Sequence, residues 1–159
     1  MIRMEIKGLL MDPVSNMPVV ILRDTEKGLL LPIWVGIFEA NAIALEMEKV
    51  ATPRPMTHDL LKNLLAELDA HVERVVINDL RENTFFARIH LTRKDSTLSV
   101  DSRPSDAIAL ALRSHAEIFV EEEVLEKSRS LRAEGDQDPD RLRQWLEEAN
   151  PDELGKYRM

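Results

Sequence analysis

The sequence contains no cysteine, which excludes disulfide bonds and thiolate metal sites. It has no apolar run that approaches the roughly 20 residues of a membrane-spanning helix. Its first residues, Met1 to Lys7, alternate charged and apolar side chains, unlike the continuous apolar stretch of a secretion signal. We therefore expect a cytoplasmic protein of a reducing compartment, with no membrane partner.

Excess positive charge is also missing. The chain has 21 Lys and Arg residues against 29 Asp and Glu residues, a net charge of −8 at pH 7. Proteins that bind nucleic acid through a generic basic surface rely on Lys and Arg for the phosphate contacts, so any such contact here must be local. The His-Glu-x-x-His metal motif is absent, and so is the nucleophile elbow that a small-molecule hydrolase would use.

The stretch from Asp101 to Arg113 is the most informative part of what is present. Pro104 suits the first turn of a helix because it lacks an N–H group, which places Ser102 or Arg103 near the N-cap. Residues 107–112 are apolar on every face, which predicts a helix buried on most sides. A polar cluster is thus expected at the mouth of a buried helix, where free N–H groups favour anions.

The rest of the chain reads as an α+β fold, with antiparallel or mixed β-sheet sections and packed helices. Alternating apolar residues in the first 35 positions predict a three-stranded antiparallel meander. A helix is expected at 38–50, and a second from Thr57, its predicted N-cap, to about Ala70. Further elements are predicted as β structure from His71 to Val100, a strand at 118–120 and a helix at 121–131. The second helix carries leucines at helical spacing, interpreted as core: Leu60, Leu61, Leu64, Leu65 and Leu68.

The domain boundaries follow from composition. Residues 1–131 form the predicted domain, 132–139 an acidic linker, and 140–159 a C-terminal amphipathic helix and tail. Leu142, Trp145 and Leu146 make an apolar patch that should dock on the body or on a second subunit. The pairs Arg-Pro at 54–55 and 103–104 each precede an aspartate and an apolar helix, and Ala-Ile-Ala-Leu occurs at 42–45 and 107–110, which leaves a duplication open.

Three blocks of sequence, in this order, resemble the bifunctional nuclease (BFN) domain family of bacteria and plants. They are Leu31 to Gly36 with Glu39-Ala40, Pro53 to Leu61, and Asp101 to Leu110. The resemblance covers residue 1 to about residue 130, and residues 145–148 and 155–159 resemble the tail of bacterial members. It implies a compact α+β domain that forms homodimers or larger homo-oligomers and acts as an RNase and a DNase, a low-specificity hydrolase of phosphodiester bonds.

Metal-assisted hydrolysis of a phosphodiester needs ligands for Mg²⁺ or Mn²⁺, a group that activates water, and cations that hold the phosphate. The three blocks supply candidates for each role. The predicted catalytic residues are His58, Asp59 and Asp106, the predicted phosphate-binding residues Arg54, Arg103 and Ser105, and the predicted metal ligands Glu39 and Asp101. We expect one site, where the segment 54–59 meets the segment 101–106.

Structural roles explain several of these residues equally well. His58 and Asp59 stand at a helix start, where capping and dipole compensation are ordinary. Asp101 and Asp106 would also form ion pairs with Arg103 that fix the loop. A second function therefore stays open, a non-enzymatic oligomeric module that binds an anion or a partner protein. Chelation of metal should abolish the nuclease activity and leave such a module unaffected.

Overall fold

The computed structural model describes the backbone of residues 1–134 and the side chains of residues 1–130. In chain order its elements are β1 (Ile2–Met11), β2 (Pro18–Asp24), β3 (Leu30–Trp34), α1 (Ile37–Met47), α2 (Thr57–Glu67), β4 (Ala70–Arg81), β5 (Thr84–Arg93), β6 (Ser96–Ser102), α3 (Pro104–Ser114), β7 (Glu117–Val120) and α4 (Glu122–Glu134). The strands of this part of the chain form a single mixed sheet in the order β3-β2-β1-β7-β4-β5-β6. The predicted α+β fold is confirmed.

The sheet consists of two antiparallel meanders with β7 between them. Strands β1 to β3 form the first meander, as predicted for the first 35 residues, and β4 to β6 form the second. Strand β7 pairs antiparallel with β1 and parallel with β4, because the chain crosses over from β6 through α3 before it re-enters the sheet. Helix α1 follows the first meander and α3 follows the second, and the two helices pack against each other.

Helix α3 lies at the centre of the core. It contacts α1, α2, β4 and β5. Its apolar residues are fully buried from Ala107 to Ala111, as expected from a sequence that is apolar on every face. Arg103 is the N-cap and Pro104 the first helical residue, which agrees with the prediction from Pro104.

The predicted N-cap of α2 is wrong by one residue. Thr57 is the first helical residue and Met56 the N-cap. The Met56 backbone N–H donates to Asp59 Oδ2 at 3.0 Å, so an acidic side chain three positions into the helix reaches back to the cap. This is the acidic half of a capping box, and it satisfies the amide of the capping residue.

The core assignment of the α2 leucines is also wrong. Leu60, Leu61, Leu64 and Leu68 are 40–58% exposed, and Leu65 is half-buried. The only fully buried side chain of this wholly described helix is His58. The leucine spacing correctly groups residues on one face but does not say where that face points, and here the inward-facing contacts of α2 are polar.

The last described helix differs from its predicted range in a smaller way. Helix α4 begins one residue later than predicted and continues to Glu134, three residues into the segment expected to be a linker. The remainder of that segment and the predicted amphipathic helix with Leu142, Trp145 and Leu146 lie outside the described residues. Within the described part of the chain, no helix is long and apolar enough to cross a membrane.

Candidate functional site

Three helices begin close together and carry acidic residues at equivalent positions. Glu39, Asp59 and Asp106 each occupy the third residue of α1, α2 and α3, respectively. The first turn of a helix has unpaired N–H groups and the positive end of the helix dipole, which stabilise negative charge. The contacts described next bring the side chains of these three first turns together.

Arg103 connects α1 to α3. One terminal nitrogen of its guanidinium lies 2.7 Å from Glu39 Oε1 and 2.8 Å from Asp106 Oδ2, and its Nε donates to Asp106 Oδ2 at 2.9 Å. Hydrogen bonds to Asp106 and then to Glu39 raise the pKa of Arg103. The Arg103 side chain is 65% exposed, while that of Glu39 is 16% exposed. The guanidinium therefore faces solvent while the mostly buried Glu39 carboxylate holds it in place.

His58 connects α2 to the same carboxylate. His58 Nε2 lies 2.9 Å from Asp106 Oδ1, and the two side chains are 8% and 29% exposed. An ionised carboxylate only accepts hydrogen bonds, so Nε2 is the donor in this pair. The segments 54–59 and 101–106 therefore meet, and Asp106 is held through both oxygens, by His58 on the buried side and by Arg103 on the open side.

Gly36 gives the Glu39 carboxylate its room. It is the N-cap of α1, with φ of −69°, a value open to any residue. A Cβ added at Gly36 would overlap Glu39 Oε2 and approach Glu39 Cδ at 3.2 Å. The glycine thus leaves room for the carboxylate that binds Arg103, which folds back over it, and its backbone conformation does not call for a glycine.

Arg113 is the functional candidate that the sequence reasoning missed. It lies in the last turn of α3 with a side chain that is 4% exposed, and its Nε donates to Asp59 Oδ1 at 2.8 Å. Burial tends to raise the pKa of Asp59, but hydrogen bonds from Met56 N–H and Arg113, with the Arg113 charge, leave that pKa below its ordinary value. The available signal was a lone arginine at the end of an apolar helix.

The contacts above define one cluster, formed by Glu39, His58, Asp59, Arg103, Asp106 and Arg113. Among the described residues, three predicted site residues make no side-chain hydrogen bond or ion pair with it. Arg54 is exposed in the loop before α2, where its backbone oxygen accepts a hydrogen bond from the Thr52 hydroxyl. Asp101 is exposed on β6, and Ser105 is buried in the first turn of α3. Their assigned roles stay predictions. The burial of Ser105 makes this residue less suitable for direct contact with a phosphate.

The donor set does not fit a divalent-metal site in this arrangement. Among the side chains that the structure describes, those of residues 1–130, no group of three or more metal-ligating side chains converges. The carboxylates of Glu39 and Asp106 are directed at Arg103, and Asp101 lies on the exposed strand β6. A metal ion bound by Glu39 and Asp106 would have to replace the guanidinium as their counter-charge.

The fold and the cluster define an α+β protein in which an exposed arginine, a buried histidine and two carboxylates meet at three helix starts. The chain belongs to the bifunctional nuclease domain family, because the family model described as "Bifunctional nuclease domain" matches residues 20–132, which include every residue of the cluster. An uncharacterized protein of Mycobacterium tuberculosis (strain ATCC 25618 / H37Rv) is 37% identical over 92% of this chain and 94% of its own length.

Plant relatives carry the functional name. "Bifunctional nuclease 2" of Arabidopsis thaliana is 28% identical over 71% of this chain and 35% of its own length. "Bifunctional nuclease 1" of Oryza sativa subsp. japonica is 26% identical over 70% of this chain and 34% of its own length. The similarity to the plant proteins therefore concerns one part of longer chains.

Proposed function

We propose that this protein is a nuclease that hydrolyses phosphodiester bonds in RNA and DNA. Membership in the bifunctional nuclease domain family supports the activity. The observation that carries the placement of the site is the Asp106 carboxylate, held between His58 and Arg103 at a helix start. A carboxylate with a fixed orientation, beside a cation that faces solvent, is the pair of groups that attack on a phosphodiester requires.

In this proposal Arg103 binds the phosphate and Asp106 acts as the general base. The guanidinium donates to the non-bridging oxygens, where negative charge accumulates during attack. Asp106 accepts a proton from the attacking water, whose oxygen forms the new bond to phosphorus while the bond to the leaving sugar oxygen breaks. His58 holds Asp106 Oδ1 and fixes the direction of the carboxylate. The three helix N-termini favour the bound anion.

A divalent ion, Mg²⁺ or Mn²⁺, is also proposed, on the strength of the family resemblance and the chemistry of phosphodiester hydrolysis alone. The described donors do not fit it, so no step above depends on it. When bound, such an ion would stabilise charge on the phosphate and lower the pKa of water. A cytoplasmic location is also proposed, because the sequence contains no cysteine, as is common in a reducing compartment.

A second function is favoured by one observation. Every charged group of the cluster already has a partner within the protein, as expected for a structural ion-pair network. In that case the exposed Arg103 would serve a non-enzymatic module that binds an anion or an acidic segment of a partner protein. Binding without cleavage separates this function from a nuclease.

We also propose that the chain forms a homodimer or a higher homo-oligomer through α2. Its exposed leucines, with Leu98 and Val100 exposed on β6, are apolar side chains that an interface would remove from water. Leu64→Lys should shift the protein towards monomer in sedimentation velocity runs, because it places a charge in the interface. An unchanged distribution would exclude α2 as the contact.

The test of the function is cleavage of labelled single-stranded RNA and DNA by the full chain, in Mg²⁺, in Mn²⁺ and in EDTA. Arg103→Met should lower the rate about 100-fold or more, the usual effect of losing one donor to a developing negative charge. Arg23→Met is the matched control, since Arg23 is also an exposed arginine with a carboxylate partner, Glu5, and lies outside the residues predicted to bind phosphate. Oligonucleotide binding without cleavage in every condition would favour the binding module.

A further inference from the structure

We propose that Asp59 and the buried Arg113 form a positioning pair that holds His58 against Asp106. The inference rests on the proposed nuclease site and deepens it. It gives Asp59 a positioning role in place of the catalytic role expected from the sequence, and it gives Arg113 a role that no feature of the motif suggested.

Both carboxylate oxygens of Asp59 accept hydrogen bonds from within the protein. Oδ1 accepts from Arg113 Nε at 2.8 Å, and Oδ2 accepts from the Met56 backbone N–H at 3.0 Å. Asp106 is likewise held through both oxygens, so the difference between the two carboxylates lies in the arginine that each one contacts: Arg113 is buried and Arg103 is exposed. The geometry directs this carboxylate towards the helix start and the interior, while the neighbouring Asp106 faces the exposed Arg103.

Arg113 joins three helices at one buried point. Its terminal nitrogens donate to Ala109 O in its own helix and to Ala42 O in α1, both at 2.9 Å, and its Nε reaches Asp59 in α2. A charge that is almost fully removed from water needs a charged partner, and Asp59 is the carboxylate in contact with it. The contact therefore fixes the first turn of α2 relative to both α1 and α3.

The Asp59–Arg113 pair and the His58–Asp106 contact together attach α2 to two points of α3. His58 and Asp59 are neighbours in α2, and they bind Asp106 and Arg113, which are seven residues apart in α3. At 1.5 Å per residue this separation is about 10 Å along the α3 axis. A helix held at two such points cannot rotate or slide without breaking one contact.

Apolar packing does not replace these attachments. Most leucines of α2 are exposed, and His58 is its one fully buried side chain. A helix of this kind depends on its polar contacts for its position more than α3 does. Loss of the Asp59 contact should therefore displace His58, and with it the orientation of Asp106.

The experiment compares Asp59→Asn and Arg113→Lys with wild type in the full chain, with Asp79→Asn as the matched control. Asp79 also has a lowered pKa, opposed by burial and produced by the Leu80 N–H and Lys127, but it joins β4 to α4 and contacts no residue of the cluster among those described. Three readouts are taken: the ¹⁵N signals of the His58 imidazole, hydrogen exchange of the α2 amides, and kcat and KM for oligonucleotide cleavage.

Asp59→Asn is expected to shift the His58 ring signals, to speed exchange in α2, and to lower kcat about 100-fold with KM unchanged, because a displacement of about 1 Å costs this much. Arg113→Lys keeps the charge and loses hydrogen bonds, so it should give a smaller change of the same kind. Asp79→Asn should match wild type in all three.

Lost cleavage in Asp59→Asn with unchanged His58 signals and exchange would overturn the proposal and make Asp59 a catalytic residue. Unchanged values in every readout would overturn it as well. If wild type cleaves no substrate, the proposed nuclease function fails, while the His58 signals and the α2 exchange still decide whether the pair positions His58.

Discussion

Helices α2 and α3 have the same length and similar beginnings, yet opposite environments. Each spans 11 residues, has an Arg-Pro pair at or shortly before its first residue, and carries an aspartate at its third position. Helix α3 buries eight of its side chains, and α2 buries one. The comparison shows that an apolar stripe at helical spacing is not sufficient evidence of a core position.

The two aspartates also show how one local pattern gives two roles. Asp106 points to an arginine that is mostly exposed and to a histidine, whereas Asp59 points to an arginine that is buried. Both positions satisfy the preference of a helix start for negative charge. The two side chains are almost equally exposed, 32% for Asp59 and 29% for Asp106, so exposure does not separate them. Their partners do, and these lie 48 residues apart in the sequence for His58–Asp106 and 54 for Asp59–Arg113.

The largest expected effect tests the contrast in burial. Ile108→Ala in α3 should lower the free energy of unfolding by about 2–5 kcal/mol, because it leaves a cavity at a fully buried position. Leu64→Ala in α2 should change it by about 0.5 kcal/mol or less. Urea unfolding at matched low protein concentration measures both. Similar losses in the two variants would mean that the α2 leucines pack within the monomer after all.

A smaller effect is expected at the start of α1. Gly36→Ala should displace the Glu39 carboxylate from Arg103 and lower the cleavage rate about tenfold, less than loss of Arg103, because Asp106 still holds the guanidinium. Gly28→Ala is the control for a glycine outside the site, although its φ of 72° makes it a probe of stability as well. Cleavage at the wild-type rate in Gly36→Ala would show that Glu39 does not help to place Arg103.

The smallest expected effect is a loss of stability of α2 at low pH. The pKa of Asp59 is lowered in the folded protein, so its contribution to stability is complete above the unfolded value of about 3.9 and is lost as the pH falls through the folded pKa. Hydrogen exchange, corrected for its intrinsic pH dependence, should show α2 losing protection before α3 as the pH is lowered below about 4. This difference should disappear in Asp59→Asn. Equal loss in both helices of wild type would contradict a local role for the Asp59 contact.

Local features were predictable from the sequence. The meander of the first 35 residues, the burial of α3 and the position of Pro104 follow from periodicity and backbone chemistry, which act over a few residues. The meeting of His58 and Asp106 was expected from the repeated Arg-Pro starts and is observed. The catalytic and phosphate-binding roles of these residues stay predictions.

Long-range features were not predictable. The position of β7 between β1 and β4 depends on a crossover, and the orientation of α2 depends on Arg113, which finds Asp59 far away in the sequence. Periodicity gives the residues on each face of α2 but no information on which neighbour covers them. Arg54 and Arg103 look alike in sequence, and only Arg103 has two carboxylates within reach.

The most direct test of the central claim, that the cluster at the three helix starts is a nuclease site built around Asp106, is the cleavage rate of Asp106→Asn beside Asp101→Asn. The two aspartates lie five residues apart, but only Asp106 contacts His58 and Arg103. A nuclease site built around Asp106 requires that Asp106→Asn lower cleavage of RNA and DNA about 100-fold or more, with Asp101→Asn near wild type. Cleavage retained in Asp106→Asn, or lost equally in Asp101→Asn, would contradict it.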